Sequence, residues 1–287
     1  MKNKLYYYLM LVPAIILSLS VVLIPAILTI IVSFTDWNGI SIKFNWIGWK
    51  NYIFLFNDWV FKKALINNIT WVILFVTIPV AIAMLAALIL LNRKSQRNIF
   101  QLIFLFPYVL ASITNSMLWL NMVYSPIAGV IGWLKRLGLP ITSPLSSLHT
   151  ALFGVAAVDI WRFWGFLMVI YLASLRQTPS EQVEAAQVEG ANSFQLFRYI
   201  YLPHIMPTVR LMFAMIIIGS FMTFDYIYLI SGGGPSHATE MLSTIAYTTA
   251  FYTLQIGKAS AIGVIISLLG FAASVLYVYS SRKEEIS

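Results

Sequence analysis

The sequence contains no cysteine, which excludes disulfides, thiolate metal sites and cysteine nucleophiles together. Charge is scarce as well: Asp, Glu, Lys and Arg make up 10% of the 287 residues, whereas 60% are hydrophobic. A mean hydropathy of +0.84 fits a bilayer as solvent, since ordinary soluble domains carry about 25% charged residues. The three histidines, His149, His204 and His237, are scattered without metal-ligand spacing, and no nucleophile stands beside a base. Gly232-Gly233-Gly234-Pro235 is rich in glycine, but no Gly-Lys-Ser or Gly-Lys-Thr follows it. A phosphate-cradling loop is therefore excluded, and a flexible turn is expected. With no catalytic residue and no metal ligands to name, the chain reads as non-enzymatic.

What is present in abundance is long apolar runs. A helix needs about 20 mostly apolar residues to cross a hydrocarbon core roughly 30 Å thick, and six such runs occur, at about 8–34, 69–91, 99–123, 151–175, 209–230 and 259–279. Lipid offers the backbone no hydrogen-bond partner, so the spans must be helices. The expectation is an all-α, polytopic, single-domain membrane protein over 1–287. The first run is too long for a signal-peptide core and no small-x-small site follows it, so it reads as a retained span. Six spans put both ends on one side. That side carries Lys2, Lys4, Arg93, Lys94, Arg97, Arg176, Arg198, Arg210, Arg282 and Lys283; the other carries Lys43, Lys50, Lys62, Lys63, Lys135, Arg136 and Lys258. The density of cations close to span ends places both termini in the cytoplasm. The net charge of +8 then serves membrane orientation and contact with anionic lipid, and no nucleic-acid partner is expected. On the opposite side, 52–63 reads as an interfacial helix, and Trp37, Trp46, Trp49 and Trp59 as an aromatic belt.

The loop from Thr178 to Pro207 carries more local signal than any other. Thr178 with Glu181 forms a capping-box pattern, with Pro179 at the first helical position. Glu184, Ala185 and Ala186 continue the helix, and Gly190 can take a positive φ at its end. Asn192 with Gln195 repeats the capping pattern for a second helix bearing Phe194, Phe197, Tyr199, Ile200 and Tyr201, which Pro203 is expected to stop. Aromatic side chains projecting from such a loop call for a protein partner to bury them.

The run Glu184-Ala185-Ala186, Glu189-Gly190-Ala191, Phe197, Ile200, Leu202-Pro203 and Pro207 resembles the EAA loop of binding-protein-dependent ABC importer permeases, with Glu189 where family members commonly have Asp. Gly48, Asn51, Tyr52, Asp58, Phe61, Ala64, Leu65 and Asn67 resemble that family's first external loop. Phe224-Asp225 and Gly232 to Pro235 look like the corresponding stretch of sugar permeases, especially those for oligosaccharides and glycerol phosphate. The resemblance implies a type I importer fold in a bacterial or archaeal cell membrane. It implies a second, different permease, two ATPase subunits that hold ATP and Mg, and an extracytoplasmic solute-binding protein. It implies that this chain binds no cofactor of its own. Its coupling residues would be Glu184, Ala185, Ala186, Glu189, Gly190, Ala191, Phe194, Phe197, Leu202 and Pro203.

Few polar groups lie inside the spans, and each is a functional candidate because its burial is costly. Asp159 and Arg162 stand at i, i+3 and can pair on one face. With Asn115, Trp119 and Asp225 they either line a polar cavity for a hydroxyl-rich solute or pair with one another or with a partner subunit. Ala259, Gly263, Ser267, Gly270 and Ser274 form a small-residue stripe suited to close helix packing, and Pro79 and Pro107 are candidate kinks. An ion-coupled secondary transporter, using Asp159 or Asp225, is the competing class. No internal repeat supports it, and it leaves the capped loop unexplained.

Overall fold

The computed structural model describes residues 2–93 and 95–282, with side chains from Met10 to Tyr279 apart from Lys94; Lys94 and Lys283, two of the cations used above to orient the chain, lie outside the described residues. In chain order the helices are α1 (Lys2–Leu17), α2 (Ile24–Val32), α3 (Lys50–Asn57), α4 (Trp59–Leu91), α5 (Arg97–Val109), α6 (Ser112–Leu118), α7 (Val130–Arg136), α8 (Ala151–Leu175), α9 (Ser180–Val188), α10 (Ser193–Gln195), α11 (Leu202–Met222), α12 (Asp225–Ile230), α13 (Leu242–Phe251) and α14 (Ile256–Arg282). No β-strand occurs among the described residues; one isolated bridge joins Thr35 to Trp46.

Five continuous helices are long and apolar enough to cross a membrane: Met10–Val32, Trp59–Leu91, Ala151–Leu175, Ser193–Met222 and Ile256–Tyr279. A sixth is broken, with α5 and the helix Ser112–Val123 meeting at 98°. The break falls at Leu110 and Ala111, both in extended conformation (ψ 136° and 141°), three residues beyond Pro107. Pro107 itself stays inside α5, and Pro79 inside the unbroken α4. Hydropathy gave this segment as one span because it measures transfer into lipid and is blind to backbone direction.

The chain forms two units. In the first, 1–62 with 245–268, the residues after α2 are gathered by Asn51, whose Nδ2 donates to the carbonyls of Ser33 (2.8 Å) and Thr35 (2.9 Å). The Ser33 and Tyr52 hydroxyls meet at 2.7 Å. Phe34 stacks on Trp46 at 5.5 Å and meets Trp49 edge-on at 5.1 Å, so two of the expected belt tryptophans gather on one ring while remaining largely exposed. A Cβ at Gly257 would overlap the Thr35 carbonyl, which is why the first turn of α14 can approach there. The expected interfacial helix ends earlier than the sequence implied: Asp58 is extended (ψ 125°) and its carboxylate accepts from Val60 N at 3.0 Å. Asp58 thereby starts α4, and Trp59, Lys62 and Lys63 belong to that longer helix.

The second unit, 63–244 with 269–287, is built around α8. Half of α8's apolar window is buried, more than in any of the other candidate spans. Leu167, Met168, Tyr171 and Leu172 are fully enclosed. Gly165 makes this possible, since a Cβ there would overlap the Phe104 carbonyl of α5. Two adjacent buried asparagines on α4 act as staples. Asn67 donates to the carbonyls of Ala238 and Glu240 (2.9 Å each), while Asn68 donates to Ser220 O (2.8 Å) and accepts from Leu242 N (3.0 Å). Asn67 satisfies carbonyls outside regular helix, and Asn68 satisfies backbone groups at helix ends, the last turn of α11 and the first residue of α13, where neither has a helical partner. Gly232 to Pro235 departs from the expected flexible turn. Gly232 and Gly233 take φ 57° and 88°. The loop closes through Thr239 N to Gly233 O (3.1 Å) and Thr239 Oγ1 to Gly234 O (2.9 Å). It wraps the buried Glu240 carboxylate, which accepts from Thr244 Oγ1 at 2.7 Å and meets His237 Nδ1 at 3.2 Å. A side chain at Gly233 would collide with that carboxylate. On α14, Gly263 faces Thr29 in the first unit and Gly270 faces Ile218 in the second, each with a prospective Cβ contact of 3.9 Å; a Cβ would fit at both, and Ser267 is exposed, so the stripe does not bring a neighbouring helix unusually close.

Candidate functional site

The segment 178–207 folds as a helix, a glycine turn and the start of a long helix. Its opening differs from the expected capping box. Thr178 N donates to Leu175 O at 3.3 Å, closing the last turn of α8. Pro179 is itself the N-cap of α9 (φ −58°, ψ 128°), and no side chain caps that end. Tethered to α8, Thr178 is out of place for the Glu181 amide, and the proline's missing N–H is harmless at a position that donates no helical bond.

The far end of α9 matches the sequence. Gly190 takes φ +86°, its N–H donates to Gln187 O (3.0 Å), and Ala191 N donates to Ala186 O (2.9 Å). This pair of bonds is a Schellman closure, which needs a residue in the left-handed region at Gly190. Two residues later Asn192 and Gln195 form the full reciprocal box: Gln195 N to Asn192 Oδ1 at 2.9 Å, Asn192 N to Gln195 Oε1 at 2.8 Å. The turn is thus closed from both sides.

Pro203 does not end the second helix. A π-turn over Leu196–Tyr201 follows α10, Leu202 N bonds to Phe197 O, and helix continues through Pro203 and Pro207 to Met222. The wider turn offsets the hydrogen-bond register by one residue just ahead of the ring that would clash with it. The expected second short helix is therefore the first stretch of a 30-residue helix.

The aromatic side chains of this segment divide. Phe194 is 71% exposed, with Tyr199 at 69% and Val188 at 89%. Phe197 and Tyr201 instead pack, half-buried, against the chain's own core, so Phe197 offers a partner only part of its ring. Val188 was missed, and Tyr199, counted among the loop's aromatics, was left out of the coupling set; their position on the exposed face follows from the helix register once Gly190 fixes the turn. Ala186, Glu189, Gly190 and Ala191 line a depression of about 330 Å³ with Gln195, Tyr199 and Ile200. Glu184 and Ala185 stand exposed on α9, while Leu202 and Pro203 lie on the first turn of α11.

The intramembrane polar residues also come together, with one exception. Asp159 and Arg162 pair on α8, Nε and Nη2 of the arginine reaching Oδ1 at 2.9 and 2.8 Å. The guanidinium lies 5.0 Å from the Tyr108 ring centre and 5.4 Å from that of Tyr226, a cation–π arrangement that holds it in place. Asp225 is the first residue of α12, beyond a break at Thr223 (ψ 122°) and Phe224 (φ −135°). It does not continue the fifth span as expected, and its Oδ2 accepts from Ser112 Oγ at 3.0 Å. A cavity of about 340 Å³ is bounded by Asp159, Arg162, Ser112, Asp225, Trp71 and Phe224, among others. Asn115 is fully buried and donates to the Tyr226 hydroxyl at 3.0 Å, behind the cavity wall. Trp119 stands apart, edge-on to Tyr124 (5.4 Å) and Trp161 (5.7 Å). Ser112, Tyr226 and Trp71 were missed. Ser112 follows a break that hydropathy does not register, and Trp71 and Tyr226 read as ordinary span aromatics.

Comparison with known proteins agrees with this anatomy. Residues 79–285 match the family described as "Binding-protein-dependent transport system inner membrane component". A "Probable ABC transporter permease protein" of Pyrococcus horikoshii is 31% identical over 283 residues, 98% of this chain and 97% of that protein. The "Probable starch degradation products transport system permease protein AmyD" of Thermoanaerobacterium thermosulfurigenes is 30% identical over 99% of this chain and 97% of its own. Among solved structures, a chain of a bacterial alginate ABC transporter in complex with an alginate-bound periplasmic protein superposes with a TM-score of 0.87 at 24% identity, covering 98% of this chain and 96% of that one, a likeness of fold. With its match spanning well over half of the sequence, the chain belongs to the family of binding-protein-dependent transport system inner membrane components.

Proposed function

We propose that this chain is the non-catalytic permease half of an importer for an oligosaccharide or sugar-like solute, driven by ATP hydrolysis on separate subunits. One observation carries the coupling: a helix and a helix start are locked by a Schellman closure and a capping box into a rigid turn that presents Val188, Phe194 and Tyr199 to the outside. Fixed apolar side chains on an exposed turn suit burial in a protein cleft. The ATPase is the proposed occupant, with Glu184 and Glu189 offering polar contacts at the rim. ATP and Mg belong to that partner. Both termini and this turn lie on the cytoplasmic side in this reading, following the cation bias.

The solute side rests on the cavity at Asp159, Arg162 and Asp225. It combines fixed polar groups with Trp71, Phe75 and Phe224, and sugars are held by hydrogen bonds and aromatic faces together. The name of the relative AmyD points the same way. Six spans alone do not enclose a solute path, so in this reading a second permease completes it, and an extracytoplasmic binding protein, in keeping with a family named as binding-protein-dependent, delivers the solute. Closure of the ATPases would draw two such turns together and rock the spans between inward-facing and outward-facing states.

The test is purification in mild detergent with mass spectrometry of the retained subunits, followed by transport with ATP held constant while the proton gradient is collapsed. Recovery of an ATPase and transport that survives the collapse are expected. A chain that purifies alone and stops with the gradient is an ion-coupled carrier, and the proposal fails.

A further inference from the structure

In the second unit, the last three turns of α4 and the first two of α5 leave a groove of about 610 Å³. Its walls are Ile82, Leu85, Ala86 and Ile89 on α4 and Phe100 on α5, with Phe104 and Trp164 behind, their rings 4.9 Å apart. Leu85 and Ile89 are 63% and 64% exposed. One end carries Arg93 and Gln96. Nothing in the coupling turn or the solute cavity uses these residues.

Length identifies what fits. From Ile82 to Arg93 is eleven residues, about 16 Å at the helical rise, which is close to one leaflet of a hydrocarbon core roughly 30 Å thick. The exposed Ile66, Ile69, Ile73 and Ile78 continue the apolar face of α4 beyond the groove, but the concavity itself is confined to this one stretch, the length of a single acyl chain in one leaflet. Charge gives the orientation. Arg97, the neighbouring cation of the hairpin, is committed to helix capping, donating to Leu90 O (3.2 Å) and Leu91 O (2.6 Å). Arg93 is exposed and makes no ion pair among the described residues. The groove therefore has an apolar channel one leaflet deep and an uncommitted guanidinium at the headgroup end.

We propose that this groove is a binding site for one anionic phospholipid, its acyl chain along Leu85, Ala86 and Ile89 and its phosphate at Arg93. A guanidinium matches phosphate geometry with two parallel hydrogen bonds, and a zwitterionic headgroup would offer the same phosphate with a compensating cation beside it. The site therefore prefers net negative lipid. It is independent of what the transporter carries.

The experiment uses the full chain purified in mild detergent with whatever subunits accompany it, and native mass spectrometry with phosphatidylglycerol or phosphatidylcholine of equal chain length. Preferential retention of phosphatidylglycerol is expected. Arg93→Gln should reduce that preference about fivefold, the worth of one cation near a lipid surface, while Ala86→Trp, which fills the channel, should remove tightly held lipid of both kinds. Each variant is checked for unchanged melting temperature, and Arg93→Gln, a surface change, keeps the test sound where Ala86→Trp unfolds the chain. Equal retention of the two lipids, or an unchanged preference in Arg93→Gln, overturns the proposal. Loss of a membrane subunit in Ala86→Trp also overturns it, by showing that the groove is a subunit interface.

Discussion

Replacing Gly190 by valine isolates the coupling turn from everything around it. No atom lies within 4 Å of the position a Cβ would take, so the substitution meets no steric obstacle. Its whole effect comes from the backbone, which sits at φ +86°. A left-handed conformation costs an ordinary L-residue about 1–2 kcal/mol, and a β-branched one more. Leaving that conformation forfeits the two closing bonds, Gly190 N to Gln187 O and Ala191 N to Ala186 O, each worth about 1 kcal/mol net. The two costs are comparable, so the closed turn loses its dominance. A shift of about 2 kcal/mol changes its population ratio roughly 30-fold. The transmembrane helices are untouched, and the protein should reach the membrane in normal amounts. In proteoliposomes where ATP hydrolysis and solute uptake are followed together, solute moved per ATP is expected to drop at least about tenfold. Gly190→Asn should retain most of the coupling, because asparagine tolerates the left-handed region. Normal uptake per ATP in the valine variant would refute the reasoning and make the segment a mere connector.

Phe194→Ala should leave the melting temperature unchanged and weaken retention of the ATPase, whereas Phe197→Ala, which removes a half-buried ring packed on the core, should destabilise the chain by about 1–2 kcal/mol as read by thermal aggregation. Gly165→Ala is expected to lower the yield of folded protein sharply, since its methyl overlaps the Phe104 carbonyl, while Gly219→Ala, with nothing within 4 Å, should be neutral in the same fluorescence-detected size-exclusion assay. Asp225→Ala should reduce uptake at limiting solute without altering assembly, and Asn115→Ala should do so to a lesser degree because it acts through the Tyr226 hydroxyl; uptake unchanged in both variants would remove the cavity from the solute path.

The parts of this structure that were legible in advance are those written in local chemistry. Asn192 and Gln195 form their box because both partners lie within four residues, and Gly190 supplies a conformation other residues avoid. The Asp159–Arg162 pair follows from helical spacing alone. The breaks at Leu110–Ala111 and Thr223–Phe224 were hidden, because each falls inside a predominantly apolar run in which single polar residues, Ser112 and Asp225, do not mark a turn, and hydropathy carries no information on direction. Pro203 misled for a related reason: its usual effect on a helix is cancelled by a widened turn that no single residue signals. The exposed set Val188, Phe194 and Tyr199 could be separated from Phe197 and Tyr201 only with the helix register in hand. Glu240, enclosed by the glycine loop and held by Thr244, was invisible because its burial depends on how that loop folds back over it, with Asn67 holding its carbonyl from far away in the chain.

The helix that Pro203 fails to interrupt runs for 30 residues, about 45 Å at the helical rise. One end carries Phe194 on the exposed turn; the other is Met222, which with Thr223 forms part of the cavity wall. In the coupling proposed above, such a rod would act as a lever. Pivoted near its middle, it would turn a displacement of the turn into one of similar size and opposite sense at the cavity, and the break at Thr223 is where that swing would be released. The widened turn at Leu196–Tyr201 lies beside the end the ATPase would drive, so the working length of the lever would begin beyond it. The stroke available to the solute is then set by geometry, by where along the helix the fulcrum sits, and moving that fulcrum would change the gearing without touching either end.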